Sequence, residues 1–420
     1  MTARTSNARG RATAPRLGEL SARQFLARYW QRQPLLIRQA LPGLFAQTRP
    51  AAGQAAAAAL PSQAGPLFSV REILALARDA DVESRLVIAP PEDAPGGTAA
   101  NGEQPGWKLR HGPFNRLPSR SRPGWTLLVQ GVDLHLPQAR ALMDCFRFIP
   151  DARLDDLMVS YASDGGGVGP HVDSYDVFLL QIHGRRQWRV SLPGPIRLVP
   201  DAPLKLLADF RGNDGWLLEP GDMLYLPPGW GHDGTAVGEC MTCSIGFRAP
   251  SGDELRRAFH AFLADAPSPT TTPGQRYRDR ALAPASRPAE IPAHLAGTVA
   301  GWLRQRPSQA LVDRFLGCYL TEPKPSVWFD PPQEDLAIPA DAALALDRRS
   351  RMLYRGNACY INGEAVDLAD ADLAARTLAR RLADQRGLDA VQTARALRLP
   401  WLRDRLHDWL SSGWIRLAGS

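Results

Sequence analysis

A mainly-β sandwich or barrel joined to helices and a small winged-helix-like unit is the architecture this 420-residue chain predicts. Between residues 107 and 247, short runs rich in β-branched and aromatic residues alternate with turn signals, a pattern that sandwiches and barrels accommodate. Beyond residue 250 the apolar spacing becomes helical, and after residue 336 a hairpin signal leads into further helical runs. The expected division is therefore 1–250, 251–335 and 336–420.

Each element has a local reason. Ser21-Ala-Arg-Gln24 is a capping box, in which hydroxyl and amide each satisfy a free backbone N–H of the other residue. It opens a helix carrying Phe25, Leu26, Tyr29 and Trp30, and Pro34 ends that helix before a strand at 35–37. Ser69-Val-Arg-Glu72 caps a second helix, and 85–89 reads as a strand. The segments 42–66, rich in Ala, Gln and Pro, and 90–106, rich in Pro, Gly and Glu, read as loops or insertions. Strands follow at 125–129, 157–161, 177–182, 188–190, 223–226 and 242–247, with Gly184 read as a hairpin glycine. Ser251-Gly-Asp-Glu254 caps a helix holding Leu255, Phe259 and Phe262, and helices are expected at 296–303 and 310–320. Pro-rich stretches at 266–292 and 322–340 are the linker candidates. In the last unit, strands at 354–360 and 365–368 flank Asn362-Gly363, a preferred two-residue turn. Helices at 373–382 and 402–410 and a strand at 414–417 complete a winged-helix-like pattern.

Composition narrows the functional classes. With 44% apolar and 22% charged residues the chain is globular rather than disordered or fibrous. No stretch has the roughly 18 uncharged apolar residues of a membrane span, and the first residues lack the apolar centre of a secretory signal, so a cytoplasmic protein is expected. Five scattered cysteines are too few and odd in number for a disulfide framework. Cys240 and Cys243 have the spacing of a zinc pair, but no second pair completes a site. The net charge of +7 permits an anionic partner without requiring one, and no block of like charges marks a nucleic-acid tail.

The chemistry concentrates in one constellation. In His171-Val-Asp173 the imidazole and carboxylate project from the same face of an extended strand. These are two members of the two-histidine, one-carboxylate set that binds Fe(II) and leaves coordination positions open. His232 is the third candidate, because Pro220-Gly-Asp, the apolar strand 223–226 and the rigid Pro227-Pro-Gly bend deliver it to a barrel mouth on stiff backbone. The other histidines lack a partner at ligand spacing. Asp164-Gly-Gly-Gly-Val-Gly-Pro170 lacks the Gly-Lys-Ser/Thr ending of a phosphate loop and leads into a strand, so its glycines are read as letting backbone pass close to metal and substrate. Arg186 shares parity with Trp188 and Val190, which turns it inward and Arg185 outward. An inward guanidinium within reach of the metal offers two parallel donors to a carboxylate.

Together, the runs Asp156-Leu-Met-Val-Ser-Tyr, Gly165-Gly-Gly-Val-Gly-Pro-His-Val-Asp-Ser-Tyr-Asp-Val-Phe, Gly184-Arg-Arg-Gln-Trp-Arg-Val, Pro220-Gly-Asp-Met-Leu-Tyr-Leu-Pro-Pro-Gly and Gly246-Phe-Arg-Ala-Pro resemble the bacterial JmjC-type ribosomal oxygenases. The likeness extends to Trp30-Gln-Arg-Gln-Pro-Leu-Leu-Ile, Glu83-Ser-Arg-Leu-Val and His111-Gly-Pro-Phe, and so spans most of the first 250 residues. It implies a JmjC, cupin-like double-stranded β-helix over 1–250, a helical dimerisation region over 251–335 and a winged-helix-like domain over 336–420. It further implies Fe(II) and 2-oxoglutarate as cofactors, and hydroxylation of an arginine in protein sixteen of the large ribosomal subunit by a homodimer that needs neither membrane nor nucleic acid. By the same resemblance, His171, Asp173 and His232 match the iron ligands, Arg186 the partner of the distal carboxylate, and Ser160 a hydroxyl of that pocket. Asp164, Tyr161 and Tyr175 flank the triad strand, and an acid with aromatic faces suits a cationic substrate. Two alternatives stay open: histidine as the target, or a non-catalytic metal-binding regulator with a DNA-binding winged helix. The long segments 42–66 and 90–106, and Thr242-Cys243, depart from the family pattern on the substrate side.

Overall fold

The computed structural model describes residues 16–41, 67–90, 106–213, 215–265, 293–303, 306–332 and 337–418. The insertion expected at 42–66, all but the two end residues of the one expected at 90–106, and the linker at 266–292 lie outside these residues. The chain forms two compact units, one of residues 1–249 with 325–328 and one of 250–324 with 329–420.

The first unit contains strands β1 (Arg16–Leu17), β2 (Leu20–Ser21) and β3 (Leu35–Ile37), β4 (Ser84–Ile88), β5 (Lys108–His111) and β6 (Trp125–Val129). It continues with β7 (Leu154–Ala162), β8 (His171–Val172), β9 (Asp176–Ser191), β10 (Trp216–Leu218), β11 (Met223–Leu226) and β12 (Gly231–Phe247). Its helices are α1 (Ala22–Arg28), α2 (Val70–Leu76), α3 (Val132–His135) and α4 (Pro137–Asp144). Both expected capping boxes form, at Ser21/Gln24 and Ser69/Glu72, each worth about 1 kcal/mol of helix stability.

Ten strands join in the order β3-β11-β9-β12-β7-β6-β4-β5, with β10 added to β9 and β8 to β12. β9 and β12 form the spine, paired antiparallel along their lengths. Each changes its outer neighbour half-way. β9 carries β11 on residues 177–180 and β10 on residues 186–188, while β12 carries β8 at Gly231 and His232 and β7 from Cys240 onward. The ladder thereby folds over into two facing layers, a double-stranded β-helix of the JmjC, cupin-like kind.

The fold-over occurs at Gly184, and here the structure corrects the sequence reading. Gly184 is not a hairpin glycine between two strands. It sits inside the continuous β9 with φ +59°, and a Cβ there would lie 2.0 Å from the carbonyl oxygen of Glu239. The register of β12 breaks opposite it, between Val237 and Thr242. The break switches side-chain parity: Phe178, Leu180 and Ile182 belong to the core under the helices, together with Phe25, Ile73 and Trp125. Val177, Leu179, Trp188 and Val190 belong instead to the interior between the layers, with Leu218 and Leu224.

The second unit has helices α5 (Gly252–Asp265), α6 (Ala293–Leu303) and α7 (Gln309–Thr321). A mixed segment follows with β13 (Leu344–Leu346), β14 (Met352–Arg355), β15 (Ala358–Ile361), β16 (Glu364–Asp367), α8 (Leu373–Gln385), β17 (Gly387–Leu388), α9 (Ala390–Leu397), α10 (Pro400–Ser411) and β18 (Ile415–Leu417). The expected strand at 354–360 is two strands, separated by a turn at Gly356 with φ +56°. The Asn362-Gly363 turn has both residues at positive φ, +49° and +89°, as a type I′ hairpin turn requires. A core of Leu344, Met352, Leu378, Leu382, Leu406 and Trp409 joins the helices to the small sheets.

Candidate active site

The spine brings His171, Asp173 and His232 together. His171 and His232 are directly paired residues of β8 and β12, with ring centroids 4.2 Å apart. One ligand atom from each of the three residues lies within 4.8 Å of the others. His232 Nε2 stands 3.6 Å from Asp173 Oδ2. Each imidazole uses Nδ1 on a nearby carbonyl, His171 on Gly169 at 2.9 Å and His232 on Trp230 at 3.1 Å. Those bonds fix the rings with Nε2 as the free, lone-pair nitrogen, the arrangement of metal-ligating histidines. Burial pushes the His232 imidazole down to about 4, with His171 acting in the same direction. It is therefore neutral near pH 7, the form a metal accepts.

The turn that holds Asp173 is anchored on both sides. The Gly229 N–H donates to the Asp173 carbonyl at 2.9 Å. Asp176, fully buried, accepts from the Tyr225 hydroxyl at 2.6 Å, from Gln31 Nε2 at 3.0 Å and from Arg153 Nη2 at 3.1 Å. Tyr175 stands between them in the chain. Burial, then the carboxylates of Asp173 and Asp156, keep its hydroxyl protonated well above the usual range.

Along β9 from the triad lies Arg186, only 5% exposed, whereas neighbouring Arg185 is exposed. Its Nη1 donates to Ser160 Oγ at 3.2 Å, and its guanidinium stands 5.6 Å from the Trp188 ring centre. Arg186 Nε and Nη2 are buried with no acceptor among the described residues. A buried cation with two unused donors is costly unless an anion completes it. The parallel N–H pair matches a carboxylate. The hydroxyl of Thr126, fully buried, also has no partner among the described residues.

The remaining expected residues have other neighbours. Tyr161 packs its buried ring against Trp125 at 5.1 Å in the core under the helices, and its hydroxyl donates to Glu239 at 2.6 Å. Asp164 is exposed and accepts from the Gly238 N–H at 2.7 Å. The glycine-rich segment runs beside β12, with Gly165 N–H donating to Ala236 and Ala236 N–H to Gly166. Gly169 then supplies the carbonyl that holds His171.

One residue at the mouth was not singled out from the sequence. Asp156 lies with the Tyr175 ring over Gly246, where a Cβ would stand 3.6 Å from Asp156 Oδ1 and 3.9 Å from Tyr175 Cε2. The available signal was parity: Asp156 is four residues before Ser160 on β7, so both face the same side.

A double-stranded β-helix whose mouth gathers two imidazoles and a carboxylate, above a buried and unsatisfied guanidinium, has the make-up of the facial-triad oxygenases. Residues 141–255 match the JmjC domain family, and residues 303–416 match the ROXA-like winged helix. The chain is 32% identical over 360 residues to the ribosomal protein uL16 3-hydroxylase of Escherichia coli, covering 82% of this chain and 84% of that protein. It is 33% identical over 239 residues to a probable ribosomal oxygenase of Haemophilus influenzae, covering 55% and 50%. The X-ray structure of E. coli YcfD superposes with a TM-score of 0.77 at 28% identity, covering 96% of this chain and 100% of that one. A structure of the same ribosomal oxygenase in complex with cobalt and 2-oxoglutarate superposes with a TM-score of 0.75 at 28% identity, covering 96% of this chain and 100% of that one. This chain belongs to the JmjC-domain ribosomal oxygenases and is an oxidoreductase.

Proposed function

We propose that the protein is an Fe(II)- and 2-oxoglutarate-dependent hydroxylase of an arginine side chain in a large-subunit ribosomal protein. The observation that carries the reading is Arg186, a buried guanidinium with two free donors on the same interior wall as the triad. His171, Asp173 and His232 would hold the metal, and Arg186 with Ser160 would hold the far carboxylate of the keto acid. When bound, iron and keto acid together supply the dioxygen chemistry that converts a C–H bond to C–OH, with succinate and carbon dioxide as co-products.

The chain's own residues contribute orientation and exclusion of water. The carbonyls of Gly169 and Trp230 set both imidazole tautomers, and the Gly229 N–H holds the Asp173 backbone. Leu179, Trp188, Val190 and Leu224 make the interior apolar between the mouth and Arg186, which strengthens each charge-assisted bond there.

The arginine target is supported by Asp156 and Tyr175 at the mouth, an acid and an aromatic face suited to a guanidinium. The E. coli relative is named a hydroxylase of uL16, which supports the same class of substrate. The reading also takes 1–250 as the catalytic domain, 251–335 as the dimerisation region of a homodimer and 336–420 as the winged-helix-like domain of a cytoplasmic protein that needs no nucleic acid. No described helix is long and apolar enough to cross a membrane. Within the second unit Phe259 and Phe262 pack on Phe315, at 5.1 and 5.6 Å between rings, which ties α5 to α7 as a common platform. Light scattering of the full chain is expected to give twice the monomer mass, and a monomer would contradict the dimer.

The test is succinate release from 2-oxoglutarate with Fe(II) and a uL16 peptide. Release is expected to depend on the peptide and to vanish in His171→Ala and Arg186→Met. Release that ignores the peptide's arginine would contradict the substrate assignment.

A further inference from the structure

Two residues along β9 from Arg186, Trp188 holds another donor that the protein leaves unused. Its side chain is 4% exposed, and its indole Nε1 is buried with no acceptor among the described residues. Buried N–H groups are nearly always paired, so a buried orphan beside a second set of unpaired donors marks the place of a missing acceptor. The ring is not free to turn elsewhere. Its six-membered edge lies against β12, where a Cβ on Gly234 would stand 2.7 Å from Cη2 and Cζ3. The Arg186 guanidinium is 5.6 Å from the ring centre and the His232 imidazole 5.9 Å. Trp188 thus stands between the group suited to a carboxylate and a member of the triad. Nε1, on the indole edge opposite Gly234, points away from the β12 backbone.

We propose that the Trp188 indole N–H donates a hydrogen bond to a carboxylate oxygen of bound 2-oxoglutarate, fixing how the keto acid lies between Arg186 and the triad. The proposal rests on the cofactor reading above and adds a positioning residue to it. The apolar ring excludes water from the ligand's flank, while its one polar atom orients the ligand, a combination that phenylalanine could not supply.

The test uses the full chain with ¹⁵N-labelled tryptophan, loaded with zinc as a diamagnetic ion and titrated with 2-oxoglutarate. The Trp188 indole resonance is identified by its loss in Trp188→Phe, and by site-specific labelling of position 188, which keeps the measurement independent of how that variant folds. Its proton is expected to move downfield and to exchange with solvent more slowly as the keto acid binds. Calorimetry is expected to show 2-oxoglutarate affinity weakened about ten-fold in Trp188→Phe, the loss of one hydrogen bond to a charged group, and abolished in Arg186→Met. If 2-oxoglutarate binds the wild-type protein and the Trp188 resonance does not move, the donor serves a water and the proposal is overturned, with the cofactor reading intact. If the wild-type protein binds no 2-oxoglutarate, the cofactor reading fails and the proposal with it.

Discussion

Arg185 and Arg186 are adjacent and chemically identical, yet only Arg186 is buried beside Ser160. Strand parity separates them, which is why this part of the site was legible in the sequence. The expected consequence is asymmetric. Arg186→Met abolishes 2-oxoglutarate binding in calorimetry, while Arg185→Met changes it less than two-fold; equal losses would mean that the guanidinium's location is irrelevant. The triad was legible for a similar reason, since the i, i+2 spacing of His171 and Asp173 and the stiff Pro-Pro-Gly approach to His232 are local features. Of the substrate-side candidates, Tyr175 reaches the mouth and the other two do not. Tyr161 and Asp164 neighbour the triad in sequence, but their polar atoms meet Glu239 and Gly238. Asp156 reaches the mouth from β7, whose pairing with β12 a single sequence does not disclose. Asp156→Asn is expected to lower kcat/KM for a uL16 peptide by about 10- to 100-fold, the worth of one charge-assisted bond. Its affinity for 2-oxoglutarate should be unchanged, and an equal loss of both would remove Asp156 from substrate recognition.

At the scale of elements, the spine of β9 and β12 decides where every functional side chain points. In the sequence its bend reads as a hairpin, because a glycine between two β runs looks the same whether the chain reverses or merely bulges. The outcome depends on Glu239, Cys240 and their neighbours across the ladder, which are distant in sequence. Glu239 also ties the bend down: it accepts from Arg120 at 2.6 and 2.7 Å and from Tyr161 at 2.6 Å. The Arg120 guanidinium holds its carboxyl below the ordinary 4.5. The folded state therefore binds this proton less readily than the unfolded chain, so the stabilisation is present above pH 4.5 and is lost as pH falls below it. Glu239→Gln is expected to flatten that part of the stability–pH curve in thermal denaturation, and an unchanged curve would show that the pair adds nothing. Elements with strong local signals, such as the capped α1 and α2 and the Asn362-Gly363 turn, formed where expected. The short α3, α4 and α9 are not anticipated in the sequence reading: each spans at most eight residues, about two turns, so a periodic pattern has little length in which to repeat.

For the whole molecule, the order of parts was visible in composition alone: a strand-rich region, then helices, then a mixed unit. The double-stranded wrap was not, since it depends on β9 and β12 each serving two layers, and the family resemblance supplied it. The resulting barrel encloses one apolar interior with polar groups at its mouth and along one wall, as expected of an enzyme that must admit a side chain while keeping water out. The reaction proposed for this interior is the oxidation of a ribosomal arginine. Mass spectrometry of ribosomal proteins from cells with and without the gene, and with a His171→Ala copy restored, tests it most directly. One added oxygen is expected on an arginine of uL16, present only with the wild-type gene. Unchanged masses for every ribosomal protein across the three strains would contradict it.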